Sequence, residues 1–129
     1  MTISSGNGHG PAPRVLIVDD DPEIRHVLKL LFEFERFEIV GEADDGLSAI
    51  PLALEHQPDF IILDYRMPRM DGAKAAEILR EASSKSRIVA FSSVLFERPK
   101  WADAYLNKDR ISEIAPLLGR LLTAPRVAS

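Results

Sequence analysis

At 129 residues the chain fits one compact domain, and 46% hydrophobic with 28% charged residues suffice for a core without covalent staples. The absence of cysteine excludes a disulfide framework, a thiolate zinc site and a cysteine nucleophile. The net charge of −4, from 16 basic and 20 acidic residues with no basic run, argues against nucleic acid as a direct partner.

Residues 1–13 are rich in Gly, Ser, Pro and Asn and read as a flexible arm without the apolar stretch of a signal peptide. No apolar run approaches the ~20 residues that cross a bilayer, so no membrane insertion is expected and the cytoplasm is the default location. An ordered domain is expected over residues 14–122, followed by an unstructured tail at 123–129. Val15-Leu16-Ile17-Val18 is a continuously apolar, β-branched strand of the kind buried on both faces. Asp21 then caps a helix with Pro22 at its first position, and Ile24, Val27, Leu28 and Leu31 mark one face of that helix.

Phe37–Val40 is a second, more mixed strand. The next helix covers 46–56 and contains Pro51. If Ser48 caps it, the missing N–H of Pro51 costs little; if it starts earlier, Pro51 must kink it. Phe60–Leu63 is a third strand, and a helix follows from about Gly72 to Glu81 with Ala75, Ile78 and Leu79 inward. Ile88–Phe91 and Ala104–Leu106 are strands four and five. Ile111, Ile114, Ala115, Leu118 and Leu122 trace a last helix, in which Pro116 is tolerable only if the helix begins near Ser112. Five strands alternating with helices imply an α/β fold with a five-stranded, parallel, doubly wound sheet.

In such sheets ligands bind beyond the carboxyl ends of the strands. Strand one ends in Asp19-Asp20-Asp21, strand three in Asp64, strand four in Ser92-Ser93, and strand five leads through Asn107 to Lys108. Each feature alone has an ordinary structural reading, as a turn acid, a loop serine or a surface lysine. Together they bring acids, a hydroxyl and an ammonium to one edge. Carboxylates that close repel unless a cation sits among them, and oxygen ligands with room for water suit Mg²⁺. A carboxylate can also accept a phosphoryl group, with a metal and a lysine offsetting the charge.

Val15–Pro22 and the run Leu63-Asp64-Tyr65-Arg66-Met67-Pro68-Arg69-Met70-Asp71-Gly72 resemble the receiver domains of two-component response regulators, from about Arg14 to Leu122. The resemblance implies a flavodoxin-like sheet with Asp64 as phosphoacceptor. It implies Mg²⁺ held by Asp20, Asp64 and the backbone carbonyl of Arg66, with Asp19 acting through water. Ser92 matches the switch hydroxyl, Lys108 the family lysine and Tyr105 the aromatic switch residue. The implied phosphodonor is a sensor histidine kinase or a histidine phosphotransfer protein. The output is a protein–protein contact with a downstream target, and a homodimer stays open. Such a chain is a switch rather than an enzyme, although a receiver can catalyse its own phosphorylation and dephosphorylation.

The sequence departs from the family pattern in one large respect. Between Ser92 and Lys108 it is about a turn and a half of helix short. The fourth helix of the family is therefore expected to be missing or cut to one turn, and Leu95, Phe96 and Trp101 to fold back over the sheet. An exposed aromatic patch is the alternative. Asp109 stands where many members have proline, and Arg66 is a long charged residue two positions after the acceptor. The tail TAPRVAS reads as a natural end, which favours a stand-alone receiver. The rival readings are a phosphorylation-independent binding module and the isolated receiver of a longer DNA-binding regulator. An aspartate-nucleophile phosphatase fits less well, since those enzymes place an Asp-x-Asp pair after the first strand.

Overall fold

The computed structural model describes residues 11–124, so most of the expected arm and tail lies outside the described residues. The elements run β1 (Arg14–Val18), α1 (Pro22–Phe34), β2 (Glu38–Ala43), α2 (Gly46–His56), β3 (Phe60–Leu63), α3 (Gly72–Ala82), β4 (Arg87–Phe91) and β5 (Ala104–Leu106). A 3₁₀ segment (Lys108–Glu113) and α4 (Ile114–Thr123) complete the chain. The sheet is parallel throughout, in the order β2-β1-β3-β4-β5. The winding direction therefore reverses between β1 and β3, and the ligand crevice of such a sheet opens there.

The central strands alternate their side chains between two buried faces. Val15, Ile17, Phe60, Ile62, Val89 and Phe91 pack against Leu28 and Phe32 of α1 and Ile114 and Leu118 of α4. Leu16, Val18, Ile61, Leu63, Ile88 and Ala90 face the small residues Ala49, Ala53, Ala75 and Ala76 of α2 and α3. The alanines let these two helices lie close to the sheet.

The bounds of β2 and of the last helix differ from the sequence reading, while α2 has the expected span and its open capping question is resolved. Strand β2 extends to Ala43, past the apolar residues that announced it. Its pairing with β1 shifts register between Val15 and Leu16, and Glu42 is gripped by Arg25 at 2.8 Å and Lys29 at 2.7 Å. An edge strand needs the ladder more than an apolar pattern. Helix α2 is capped by Asp45, whose side chain accepts from Ser48 N at 2.7 Å, so Pro51 lies within the helix. Pro116 sits in the first turn of α4, where a missing N–H matters least, because a 3₁₀ segment carries the chain from Lys108 to that point. That helix also runs on through Thr123, the first residue of the expected tail.

The family's helix between strands four and five is missing, as its short spacing predicts. Residues 92–103 run as bends and turns. Leu95 and Trp101 pack against the second core cluster, as expected, but Phe96 does not: it is 94% exposed.

Candidate functional site

Backbone ladders bring the two buried acids together. Asp19 N donates to Ala43 O at 3.0 Å and Asp64 N donates to Val18 O at 3.0 Å, so each acid continues its strand one step beyond the sheet. Asp19 is 1% and Asp64 4% exposed, while Asp20 is open to solvent. One carboxylate oxygen from each of Asp19, Asp20 and Asp64 lies within 4.8 Å of the others. Asp19 Oδ1 accepts from Asp21 N at 2.9 Å, and Asp21 caps α1 by accepting from Glu23 N at 2.9 Å. The third acid of the run is thus a helix cap and the first two are site residues.

Lys108 closes the site from β5. Its Nζ lies 2.8 Å from Asp19 Oδ2 and 3.2 Å from Asp64 Oδ2. Burial pushes Asp19 up from the usual carboxylate range despite this contact. Burial first, and then the charge of Asp19, pushes Asp64 up to about 6 against the pull of Lys108. Burial also works against the Lys108 charge, but Asp19 and Asp64 outweigh it and hold the ammonium above its ordinary range. Two buried carboxylates facing one ammonium leave a surplus of negative charge. Asp19 Oδ2 is buried, and Lys108 is its charge partner. This donor set fits a hard, oxygen-seeking divalent cation.

Ser92 is buried at the end of β4. Leu63 pairs with Ala90, so Ser92 stands one residue above the level of Asp64 on the neighbouring strand. Its Oγ accepts from Val94 N at 3.3 Å. Arg66 is exposed, and with Asp20, Tyr65, Met67 and Asp71 it lines an open depression of about 510 Å³ beside the acids. Tyr105 is placed differently: its hydroxyl donates to Leu95 O and accepts from Asn107 Nδ2 at 3.3 Å, so it engages the 92–103 segment rather than the carboxylates.

Sequence reasoning missed what Gly72 does. A Cβ there would stand 2.5 Å from Asp64 O and 2.8 Å from Tyr65 Cα, and Gly72 N donates to Tyr65 O at 2.7 Å. The start of α3 thus presses on the backbone of Asp64 itself. Asp71 caps this helix by accepting from Lys74 N at 3.0 Å. The Asp-Gly pair was visible as a helix start, whereas the contact with Asp64 was not.

A family model described as the response regulator receiver domain matches residues 15–107. The chain belongs to this family. Receivers of this family are the phosphoacceptor switches of two-component systems, and they work with histidine kinases or phosphotransfer proteins and with downstream targets. The chain is 42% identical over 125 residues to the transcriptional regulatory protein PdtaR of Mycobacterium tuberculosis, covering 92% of this chain and 61% of that one. The signal receiver domain of NarL from M. tuberculosis superposes with a TM-score of 0.75 at 31% identity, over 89% of this chain and 100% of that one. CheY in the CheX–CheY–BeF₃–Mg complex of Borrelia burgdorferi is similar at a TM-score of 0.72 and 30% identity, over 86% and 87% of the two chains. This receiver spans 38% to 61% of the length of curated regulators such as PdtaR. Among the described residues no helix is long and apolar enough to cross a membrane.

Proposed function

We propose that Asp64 accepts a phosphoryl group from a phosphohistidine of a sensor kinase or phosphotransfer protein, and that the chain signals through protein contacts. The observation that carries this reading is the meeting of Asp19, Asp20 and Asp64 within 4.8 Å, with Lys108 bridging the two buried acids. An Asp64 carboxylate oxygen attacks phosphorus, the P–N bond breaks, and the imidazole leaves as an acyl phosphate forms. Asp20, Asp64 and the Arg66 carbonyl would hold Mg²⁺, with Asp19 reaching it through water. When bound, the cation supplies positive charge against the oxygens of the transferring group.

Lys108 supplies a second positive charge on the opposite side, already in place before the donor arrives. Ser92 exchanges its 3.3 Å contact with Val94 N for a hydrogen bond donated to a phosphoryl oxygen. That exchange moves the segment containing Leu95, whose carbonyl accepts from Tyr105. Tyr105 is the aromatic residue that reads this movement. A solved relative supports the metal: the B. burgdorferi complex contains BeF₃ and Mg²⁺. We read the chain as a cytoplasmic switch rather than a turnover enzyme, since Asp64 is both nucleophile and product.

The test is incubation with acetyl phosphate and Mg²⁺ followed by intact mass. One phosphoryl adduct is expected on wild type, and none on Asp64→Asn or in excess EDTA. No adduct on wild type under any donor would replace this reading with a phosphorylation-independent binding module.

A further inference from the structure

The loop between Asp64 and Gly72 is tied down at three points. At its neck Gly72 N donates to Tyr65 O at 2.7 Å. Towards α2, Arg69, in a left-handed conformation at φ 70°, contacts the buried carboxylate of Asp45. The third tie comes from the segment that stands in place of the missing helix. There the ring of Tyr65, the residue after the phosphoacceptor, stacks on the ring of Trp101 with centroids 6.1 Å apart and planes 16° apart.

Trp101 is itself held by a rigid base. Arg80 on α3 donates to Trp101 O at 2.9 Å and reaches Asp103 Oδ2 at 3.3 Å. Asp103 is locked to β4, donating from N to Ile88 O at 2.8 Å and accepting at Oδ2 from Ile88 N at 2.8 Å. The Trp101 side chain packs against the second core cluster. The indole is thus a fixed plate built on α3 and β4, laid against the one residue that separates Asp64 from Arg66.

We propose that Trp101 is a positioning residue for the phosphoacceptor loop. Stacked on Tyr65, it fixes the backbone that leads from Asp64 to the Arg66 carbonyl, a ligand in the proposed metal site, so the shortened 92–103 segment sets the affinity of the site for Mg²⁺. This rests on the metal assignment proposed above, but not on phosphorylation. An aromatic stack shifts an equilibrium by a factor of about two to ten, and loss of a residue supporting a metal ligand weakens binding by about tenfold or more.

The test is a double-mutant cycle read by Mg²⁺ titration of amide chemical shifts in the full chain, well below the melting temperature. Trp101→Ala and Tyr65→Ala are each expected to weaken Mg²⁺ by about three- to tenfold, and the double variant to be no weaker than either single one. Trp101→Phe, which keeps an aromatic face, should bind within about twofold of wild type. If Trp101→Ala fails to fold, Trp101→Leu takes its place, filling apolar volume without an aromatic face. Unchanged affinity in a less stable Trp101 variant overturns the proposal and leaves the indole as sheet cover. Losses that add in the double variant overturn it too. A wild type that binds Mg²⁺ yet takes no phosphoryl group refutes the proposed function while leaving the cycle readable. One that binds no Mg²⁺ overturns both.

Discussion

Asp64 is 4% exposed, lies beside Asp19 and titrates at about 6 instead of 3.8. Between about pH 4 and 6 the folded chain therefore holds a proton that the unfolded chain has released, so stability from this group falls as pH rises through that window. A shift of this size corresponds to about 3 kcal/mol at pH 7. Asp64→Asn keeps the shape and removes the charge. In metal-free buffer the variant is expected to exceed wild type by about 2–3 kcal/mol at pH 7 and to match it near pH 4, as read from urea melts. An equal gap at both pH values would contradict the assignment. In the proposed metal site the same proton would compete with Mg²⁺. Apparent affinity should drop about tenfold per pH unit below about 6 and level off above it, with Asp19 steepening the fall. Titrations at several pH values across this range check the slope, and a flat profile would place the cation elsewhere.

Two helical glycines show how position decides the effect of a methyl group. At Gly72 a Cβ would meet backbone atoms at 2.5 and 2.8 Å, whereas at Gly119 it would meet nothing within 4 Å. Gly72→Ala is expected to cost at least about 2 kcal/mol and to lower phosphoryl uptake, because the end of β3 must shift. Gly119→Ala should add about 0.5–1 kcal/mol by removing backbone freedom from the unfolded chain. Thermal melts of the pair, run side by side, give opposite signs if this holds. The same contrast explains what was legible in the sequence. Strands β1, β3 and β4 stand out because both faces are buried and, after the leading Arg14 and Arg87, every residue is apolar. Asp19 and Asp64 follow from β1 and β3 as strand-end positions, and Lys108 follows from the end of β5. The second half of β2 and the left-handed turn at Arg69 carry no local signal, since tertiary ladders and an ion contact make them. Phe96 and Trp101 read alike as apolar residues in a helix-poor stretch. Only tertiary packing separates them: Trp101 is partly buried against the core and Phe96 is 94% exposed.

On one side of the sheet α1 and α4 build a conventional core with long aliphatic and aromatic side chains. On the other, α2 and α3 contribute mainly alanine, and the region over β4 and β5 is closed by a segment without regular structure. That closure depends on polar ties. Arg80 holds Trp101 O and Asp103, Arg98 Nη1 donates to Ala102 O at 2.8 Å, and Tyr105 holds Leu95. A segment fixed by hydrogen bonds with modest apolar burial opens at lower free energy than the strands beneath it. Arg80→Ala removes two of the ties without touching the acids, and its side chain is 37% exposed. Hydrogen exchange should therefore quicken at the Ala102 and Asp103 amides, while amides of β1 and β3 keep their protection. A uniform rise across the sheet would show that the segment unfolds only with the whole domain. Local opening would mean that the surface replacing the family's fourth helix can change shape while the strands that carry Asp19 and Asp64 stay folded.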